Sequence, residues 1–127
     1  MSEIKQLPSK ELKDFLVNNK NVELLDVRTQ DEWDNIGKPD GEKLGLKIHF
    51  VTIVRSPDPS ANKGFVEEVK NKIDPNKQLL VMCKAGGRSM MAAQLLSQEN
   101  ITCINISDGF EGNGENAGWK NEGLPSK

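Results

Sequence analysis

Histidine and cysteine are scarce in this 127-residue chain: His49 is the one histidine, and Cys83 and Cys103 are the two cysteines. Two cysteines make no disulfide framework. With a single histidine far from both in sequence, metal-ligand spacing is lacking, so neither a zinc site nor a dedicated Cys-His dyad is expected, and no metal or other cofactor is called for. No stretch approaches the ~20 apolar residues of a membrane span. The N-terminus, MSEIKQLPSK, lacks the apolar core of a signal peptide. A cytoplasmic protein is expected, in a reducing compartment where an exposed thiol nucleophile stays usable. Long Lys/Arg blocks are also missing and the net charge is −2, which argues against nucleic acid or an anionic membrane as partner. Phosphate-backbone binding would need a basic stripe.

In bulk the composition is ordinary, 35% hydrophobic and 28% charged. A chain of this length is long enough for one core, and it shows no linker, internal repeat or low-complexity tract, so residues 1–127 are expected to form a single domain. Elements alternate along it. The first strand lies near residues 4–7. Ser9 is placed to cap a helix whose Leu12, Phe15 and Leu16 form an i, i+3, i+4 stripe, and Asn18-Asn19-Lys20-Asn21 make the turn that follows. A strand over residues 22–27 leads into Thr29-Gln30-Asp31-Glu32, a capping box that starts a short helix carrying Trp33, with Arg28 and Glu32 close enough to pair. Residues 43–54 suit a strand with an irregular exit. Pro57-Asp58-Pro59 breaks the chain, Ser60 is placed to cap the next helix, and Phe65, Val66, Val69 and Ile73 give that helix one apolar face. Pro75-Asn76 ends it. A strand at residues 79–83, a helix from about 88 to 98 with Met91, Ala92, Leu95 and Leu96 facing inward, and a strand at 101–106 complete the order. Such alternation predicts an α/β fold with a mainly parallel sheet.

The chemistry concentrates in LLVMCKAGGRS, residues 79–89. Five apolar or sulfur-bearing residues in succession suit a strand buried on both faces, and Cys83 stands at its carboxyl end. Ligands bind beyond the carboxyl ends of strands in open α/β sheets, where loop N–H groups and a helix N-terminus offer partial positive charge. A thiolate suits such a nest. Gly86 and Gly87 let the loop curl so that N–H groups between Lys84 and Ser89 point inward, and Arg88 adds a formal charge. A small buried hydrophobe is the plainer reading of a free cysteine; the electropositive, semi-exposed surroundings favour a reactive one. The loop lacks GxGxxG and the GK[ST] ending of a P-loop, so it is not a nucleotide site. Cys103, inside TCINI, is expected to be a buried core residue rather than a resolving thiol. Met82, Met90, Met91 and Trp33 are expected to pack.

CKAGGRS resembles the active-site loop of single-domain rhodaneses, sulfurtransferases that carry sulfur as a cysteine persulfide. LLDVRTQDEW at 24–33 resembles the family's first motif, GKPDG at 37–41 stands where a Gly-His-Ile-x-Gly turn is common, and GF at 109–110 with WKNEGLP at 119–125 resembles its closing segment. Together these span about residues 7–125, and four ordered motifs are far more specific than one. Lys38-Pro39 in place of His-Ile, Glu42 in place of a small residue, and the Gly- and Asn-rich stretch 112–118 depart from the pattern. That stretch either borders the site or is a loose excursion.

The resemblance implies a rhodanese-like fold, a five-stranded mainly parallel sheet with helices on both faces. It implies thiosulfate sulfurtransferase activity with Cys83 as the catalytic residue and Lys84, Ala85, Gly86, Gly87, Arg88 and Ser89 as the substrate-binding loop. Asp26 and Arg28 then support the loop, in an ion-pair network that includes Glu32. The implied partners are a small anionic sulfur donor, a thiol or cyanide-like acceptor, and a sulfur-relay protein. Arg88 either binds the donor or ties the loop to the body. Two other classes stand beside this one. A rhodanese-fold phosphatase or arsenate reductase has five residues between Cys and Arg; here there are four, a tighter ring suited to one sulfur atom. A non-catalytic sulfur-carrier or redox-sensing module is the third.

Overall fold

The computed structural model describes residues 4–54 and 62–127. Five strands, β1 (Lys5–Leu7), β2 (Val22–Asp26), β3 (Lys47–Phe50), β4 (Gln78–Met82) and β5 (Cys103–Ile106), form one sheet in the order β1-β5-β4-β2-β3. Every pairing is parallel. Among the described residues four α-helices accompany them: α1 (Leu12–Asn18), α2 (Gln30–Asn35), α3 (Phe65–Lys72) and α4 (Gly87–Ser97). No described helix is long and apolar enough to cross a membrane.

The apolar run at residues 79–83 makes β4 the central strand because both faces of it are covered. Its residues alternate between two cores. Leu79, Val81 and Cys83 join Leu25, Val27, Phe65 and Val69, together with Ala92, Ala93 and Leu96 of α4. Leu80 and Met82 join Leu12 and Leu16 of α1, with Leu24, Ile104, Phe110 and Trp119. Helices therefore cover both faces. The sheet places the carboxyl ends of β2, β4 and β5 side by side, and the residues beyond those ends make the site.

Four expectations are corrected. Ser9 does not cap α1: a 3-10 turn at Ser9–Glu11 enters the helix, and the Ser9 hydroxyl donates to the Asp108 carboxylate at 2.9 Å. Asp108 is buried and needs donors, which outweighs a local cap. The long strand over 43–54 is only Lys47–Phe50, because Glu42–Leu44 forms a 3-10 turn closed by Gly45 at φ 66. The inward face of α4 is Ser89, Ala92, Ala93 and Leu96; Met91 is 56% exposed and Leu95 39%. The small residues let the helix lie close to the sheet, which turns its bulkier side chains outward. Strand β5 begins at Cys103, two residues later than expected. Pro57, Asp58, Pro59 and Ser60 lie outside the described residues; α3 is described from Phe65, after Gly64, with Phe65, Val69 and Ile73 buried.

Beyond β5 the chain closes the fold on itself. The Trp119 indole N–H donates to the Pro125 carbonyl at 2.7 Å, and the tail pairs with the divergent turn: Lys38 N–H donates to the Lys127 carbonyl at 2.8 Å, and Lys127 N–H to the Lys38 carbonyl at 2.9 Å. Lys38-Pro39 thus lies against the C-terminal segment. Proline offers no N–H, and the residues either side of it supply the donors.

Candidate active site

Cys83 follows the last residue of β4, and α4 starts at Gly87, so three residues separate the sulfur from the helix. The Gly86 N–H donates to Cys83 Sγ at 3.1 Å. Gly86 sits at φ +110, and a Cβ there would lie 2.3 Å from the Ser107 carbonyl oxygen. Only glycine takes this conformation at this distance. On the other side Gly109 is equally constrained, since its Cβ would lie 2.4 Å from the Lys84 carbonyl. Phe110 N–H donates to the Cys83 carbonyl at 2.8 Å and Glu111 N–H to that of Lys84 at 3.0 Å. The segment after β5 therefore holds the backbone at the start of the loop. Cys83 is 1% exposed, in contrast to the semi-exposed position expected of it. Lys84, Ala85 and Gly87 are the exposed part of the loop.

Arg88 anchors the loop. Its Nη1 and Nη2 donate to the two Glu32 carboxylate oxygens at 2.7 and 2.9 Å, a bidentate pair across 56 residues of sequence. The Glu32 hydrogen bonds and charge raise the Arg88 pKa against the opposing effect of burial, and the nearby Cys83 and Asp26 add to this. Glu32 also completes the capping box on α2, accepting the Thr29 N–H at 3.1 Å. Its partner is Arg88, not Arg28.

Arg28 pairs instead with Asp26. Both side chains are fully buried, with Nη2 to Oδ2 at 2.8 Å, Nε to both carboxylate oxygens at 3.1 Å, and the Arg28 N–H on Oδ1 at 3.0 Å. Arg28 Nη2 also reaches the Gly37 carbonyl at 2.8 Å, and its guanidinium lies 4.3 Å from the Phe110 ring centroid. Asp26 alternates with Leu25 and Val27, which share a core with Cys83, so the pair sits on the opposite face of the sheet from the thiol. It braces the end of β2, the 37–41 turn and Phe110 together.

A family model for the rhodanese-like domain matches residues 9–115. The chain belongs to the rhodanese-like domain family. It is 37% identical over 113 residues to the uncharacterized protein RC0915 of Rickettsia conorii, covering 88% of each. Its fold is similar to the crystal structure of Rv0390 from M. tuberculosis, with a TM-score of 0.87 and 31% identity, over 99% of this chain and 98% of that one. It is also similar to a polysulfide-sulfur transferase homodimer from Wolinella succinogenes, with a TM-score of 0.64 and 29% identity, over 98% of this chain and 78% of that one.

The other reactive groups of this rhodanese-like domain lie away from Cys83. Cys103 pairs with Leu79 in the parallel ladder, four residues back along β4 from Cys83. That is about 13 Å at 3.3 Å per residue, well beyond the reach of a disulfide. Burial pushes the Cys103 thiol up to about 12. His49 is level with Leu25, and its Nε2 lies 2.8 Å from Glu23 Oε1. Burial would raise the Glu23 pKa, but the His49 hydrogen bond, the Asp74 N–H and the charges of His49 and Lys77 hold it low. Among the described residues no group of three or more His, Cys, Asp and Glu is placed to hold a metal ion.

The 112–118 stretch is a tied-down excursion. Asn113 Oδ1 accepts the N–H groups of Glu115 and Asn116 at 2.9 Å, and the Gly118 N–H donates to the Asp108 carboxylate at 2.8 Å. It borders the site, since Asn113 Nδ2 donates to the Ser107 carbonyl that packs on Gly86. Two residues of this region were not anticipated from the sequence, Asp108 and Asn105. Both are buried polar groups, and Asn105 interrupts the apolar strand residues Ile104 and Ile106, which is the signal it leaves.

The Glu32–Arg88 tether makes stability pH-dependent. Burial would raise the Glu32 pKa, but the hydrogen bonds from Arg88 and Thr29 and the Arg88 charge outweigh it, and the value falls from 4.5 to about 2. A carboxylate depressed on folding stabilises fully above its unfolded value, and the gain is lost as pH falls from about 4.5 through about 2. With 17% of the Glu32 side chain and 27% of the Arg88 side chain still exposed, solvent screening leaves about 2 kcal/mol. Thermal melts across that range should show this dependence in the wild type and a flatter profile in Glu32→Gln. Parallel profiles would mean the tether contributes nothing to folding.

Proposed function

We propose that the protein is a thiosulfate sulfurtransferase, moving a sulfane sulfur from a small anionic donor to a thiophilic acceptor through a persulfide on Cys83. The observation that carries this reading is the sulfur at the end of β4 with the Gly86 N–H on it, inside a loop of four residues between Cys83 and Arg88. The likeness to a polysulfide-sulfur transferase supports the same reaction class.

In the first half-reaction the Cys83 thiolate attacks the outer sulfur of thiosulfate. A new S–S bond forms to Cys83, the S–S bond within the donor breaks, and sulfite leaves with the bonding electron pair. In the second half a nucleophile, a thiolate or cyanide, attacks the outer sulfur and Cys83 leaves as thiolate. No net oxidation occurs. Splitting one transfer into two requires an environment that steadies the S–S⁻ anion, which an N–H held on the sulfur provides. Because Arg88 is committed to Glu32, the exposed Lys84 is the loop cation left to meet an anionic donor. A protein thiolate suits the acceptor step as well as a small one, which makes a sulfur-relay protein a natural partner. A reducing cytoplasm would keep Cys83 free for loading.

The tight loop also disfavours the phosphatase reading. A tetrahedral oxyanion needs more room than one sulfur atom, and it needs an arginine free to face it. Intact-protein mass spectrometry after exposure to thiosulfate, glutathione persulfide and mercaptopyruvate is the test. The wild type should gain the mass of one sulfur atom from at least one donor and show negligible hydrolysis of an aryl phosphate. Efficient phosphatase turnover with no persulfide at Cys83 would defeat the assignment.

A further inference from the structure

We propose that Asn105 is a positioning residue for the Cys83 loop, holding the Gly86 carbonyl so that the Gly86 N–H stays on the sulfur. Asn105 lies within β5 between Ile104 and Ile106 and is 3% exposed. A primary amide in a fully buried strand is costly unless its polar atoms are bonded. All of them are. Its Oδ1 accepts the Ser89 hydroxyl at 2.5 Å, and its Nδ2 donates to Gln6 Oε1 at 2.9 Å and to the Gly86 carbonyl at 3.2 Å.

The Gly86 carbonyl is the focus of this network. Besides the Asn105 amide it accepts the Met90 N–H at 3.1 Å, and the Ser89 oxygen, whose one proton goes to Asn105 Oδ1, lies 3.2 Å away. Gly86 is thus gripped at both ends, its carbonyl by β5 and α4, its N–H by the sulfur. Glycine is the residue least able to hold its own conformation. Here Asn105 sets it from the sheet beneath, its own amide oriented by the Ser89 hydroxyl. A group that only filled the core would not need to touch this carbonyl.

The positioning concerns the sulfur anion itself, and only its effect on turnover rests on the sulfurtransferase reading. Asn105→Leu is nearly isosteric, removes the Nδ2 donor from the carbonyl and leaves the Met90 N–H on it. Two measurements apply: the rate at which iodoacetamide captures Cys83, followed from acid to alkaline pH, and kcat and KM for thiosulfate. Capture at neutral pH should slow by about tenfold, with its pH profile displaced to the alkaline side, and kcat should fall by about tenfold with little change in KM. That is less than the roughly hundredfold or greater loss expected on deleting an anion-stabilising donor outright, because the Gly86 N–H is loosened, not removed. Ser89→Ala, which takes away the hydroxyl that orients the Asn105 amide, should shift the capture profile in the same direction, and it decides the matter if Asn105→Leu does not fold. An unchanged capture profile in a folded variant overturns the positioning role, even if the wild type transfers sulfur. If the wild type accepts sulfur from no donor yet the variant still slows capture, the sulfurtransferase reading falls and the positioning role stands.

Discussion

Replacing Cys83 with serine is expected to reduce thiosulfate-to-cyanide transfer by more than about a thousandfold, the scale of losing a covalent nucleophile, with the melting temperature nearly unchanged. The serine oxygen can accept the same Gly86 N–H, and the Cys83 carbonyl still anchors Phe110. What is lost is thiophilicity. A hydroxyl at neutral pH carries almost no alkoxide and does not displace sulfite from a sulfur atom. The check is a transfer assay beside a thermal melt of the same preparation. Substantial turnover by a folded Cys83→Ser protein would put the nucleophile elsewhere, and Cys103 would be the next residue to replace.

Asp26→Ala is expected to produce the largest loss of stability. Arg28 is fully buried and Asp26 is its carboxylate partner, so the truncation strands a guanidinium in the core beside the Phe110 ring. Breaking a buried pair from one side costs about 3–5 kcal/mol, because the surviving charge keeps its desolvation penalty and loses its compensation. For a domain of this size that corresponds to roughly 10–20 °C in melting temperature. Removing both charges is a different matter. Asp26→Leu with Arg28→Met should recover much of the loss, since apolar groups of similar volume often replace a buried pair at little cost. A melting temperature for Asp26→Ala within a few degrees of wild type would show that water reaches Arg28. Any change in transfer should track stability, because the pair lies across the sheet from Cys83.

The features that the sequence displayed most clearly were those decided by neighbours in the chain. The run at 79–83, the Thr29–Glu32 capping box and the strand-helix alternation are local, and the structure contains all three. The choices made across the sheet were not legible. Arg28 and Glu32 are four residues apart and complementary in charge, yet each takes another partner, because Asp26 is nearer to Arg28 on the buried face and α4 delivers Arg88 to Glu32. Ser9 stands where a cap belongs, but a buried aspartate 99 residues later claims its hydroxyl. The rotation of α4 follows from how closely Ala92 and Ala93 let it approach the sheet, which apolarity alone does not encode. Asn105 looks like an interruption of CINI until the Gly86 carbonyl is found above it.

The depth of Cys83 bears on what the two halves of a sulfur transfer demand. Only 1% of Cys83 is exposed, while Lys84, Ala85 and Gly87 of its loop are exposed. A second sulfur adds about 2 Å to the side chain. In the proposed transfer, a persulfide on Cys83 would carry its outer sulfur farther from the backbone than the thiol is. A donor must send its outer sulfur down to the cysteine, so it has to be slender; an acceptor meets the sulfur partway up and can be as broad as another protein. Under the proposed transfer, access would then be asymmetric in the direction that favours loading by small molecules and delivery to large ones.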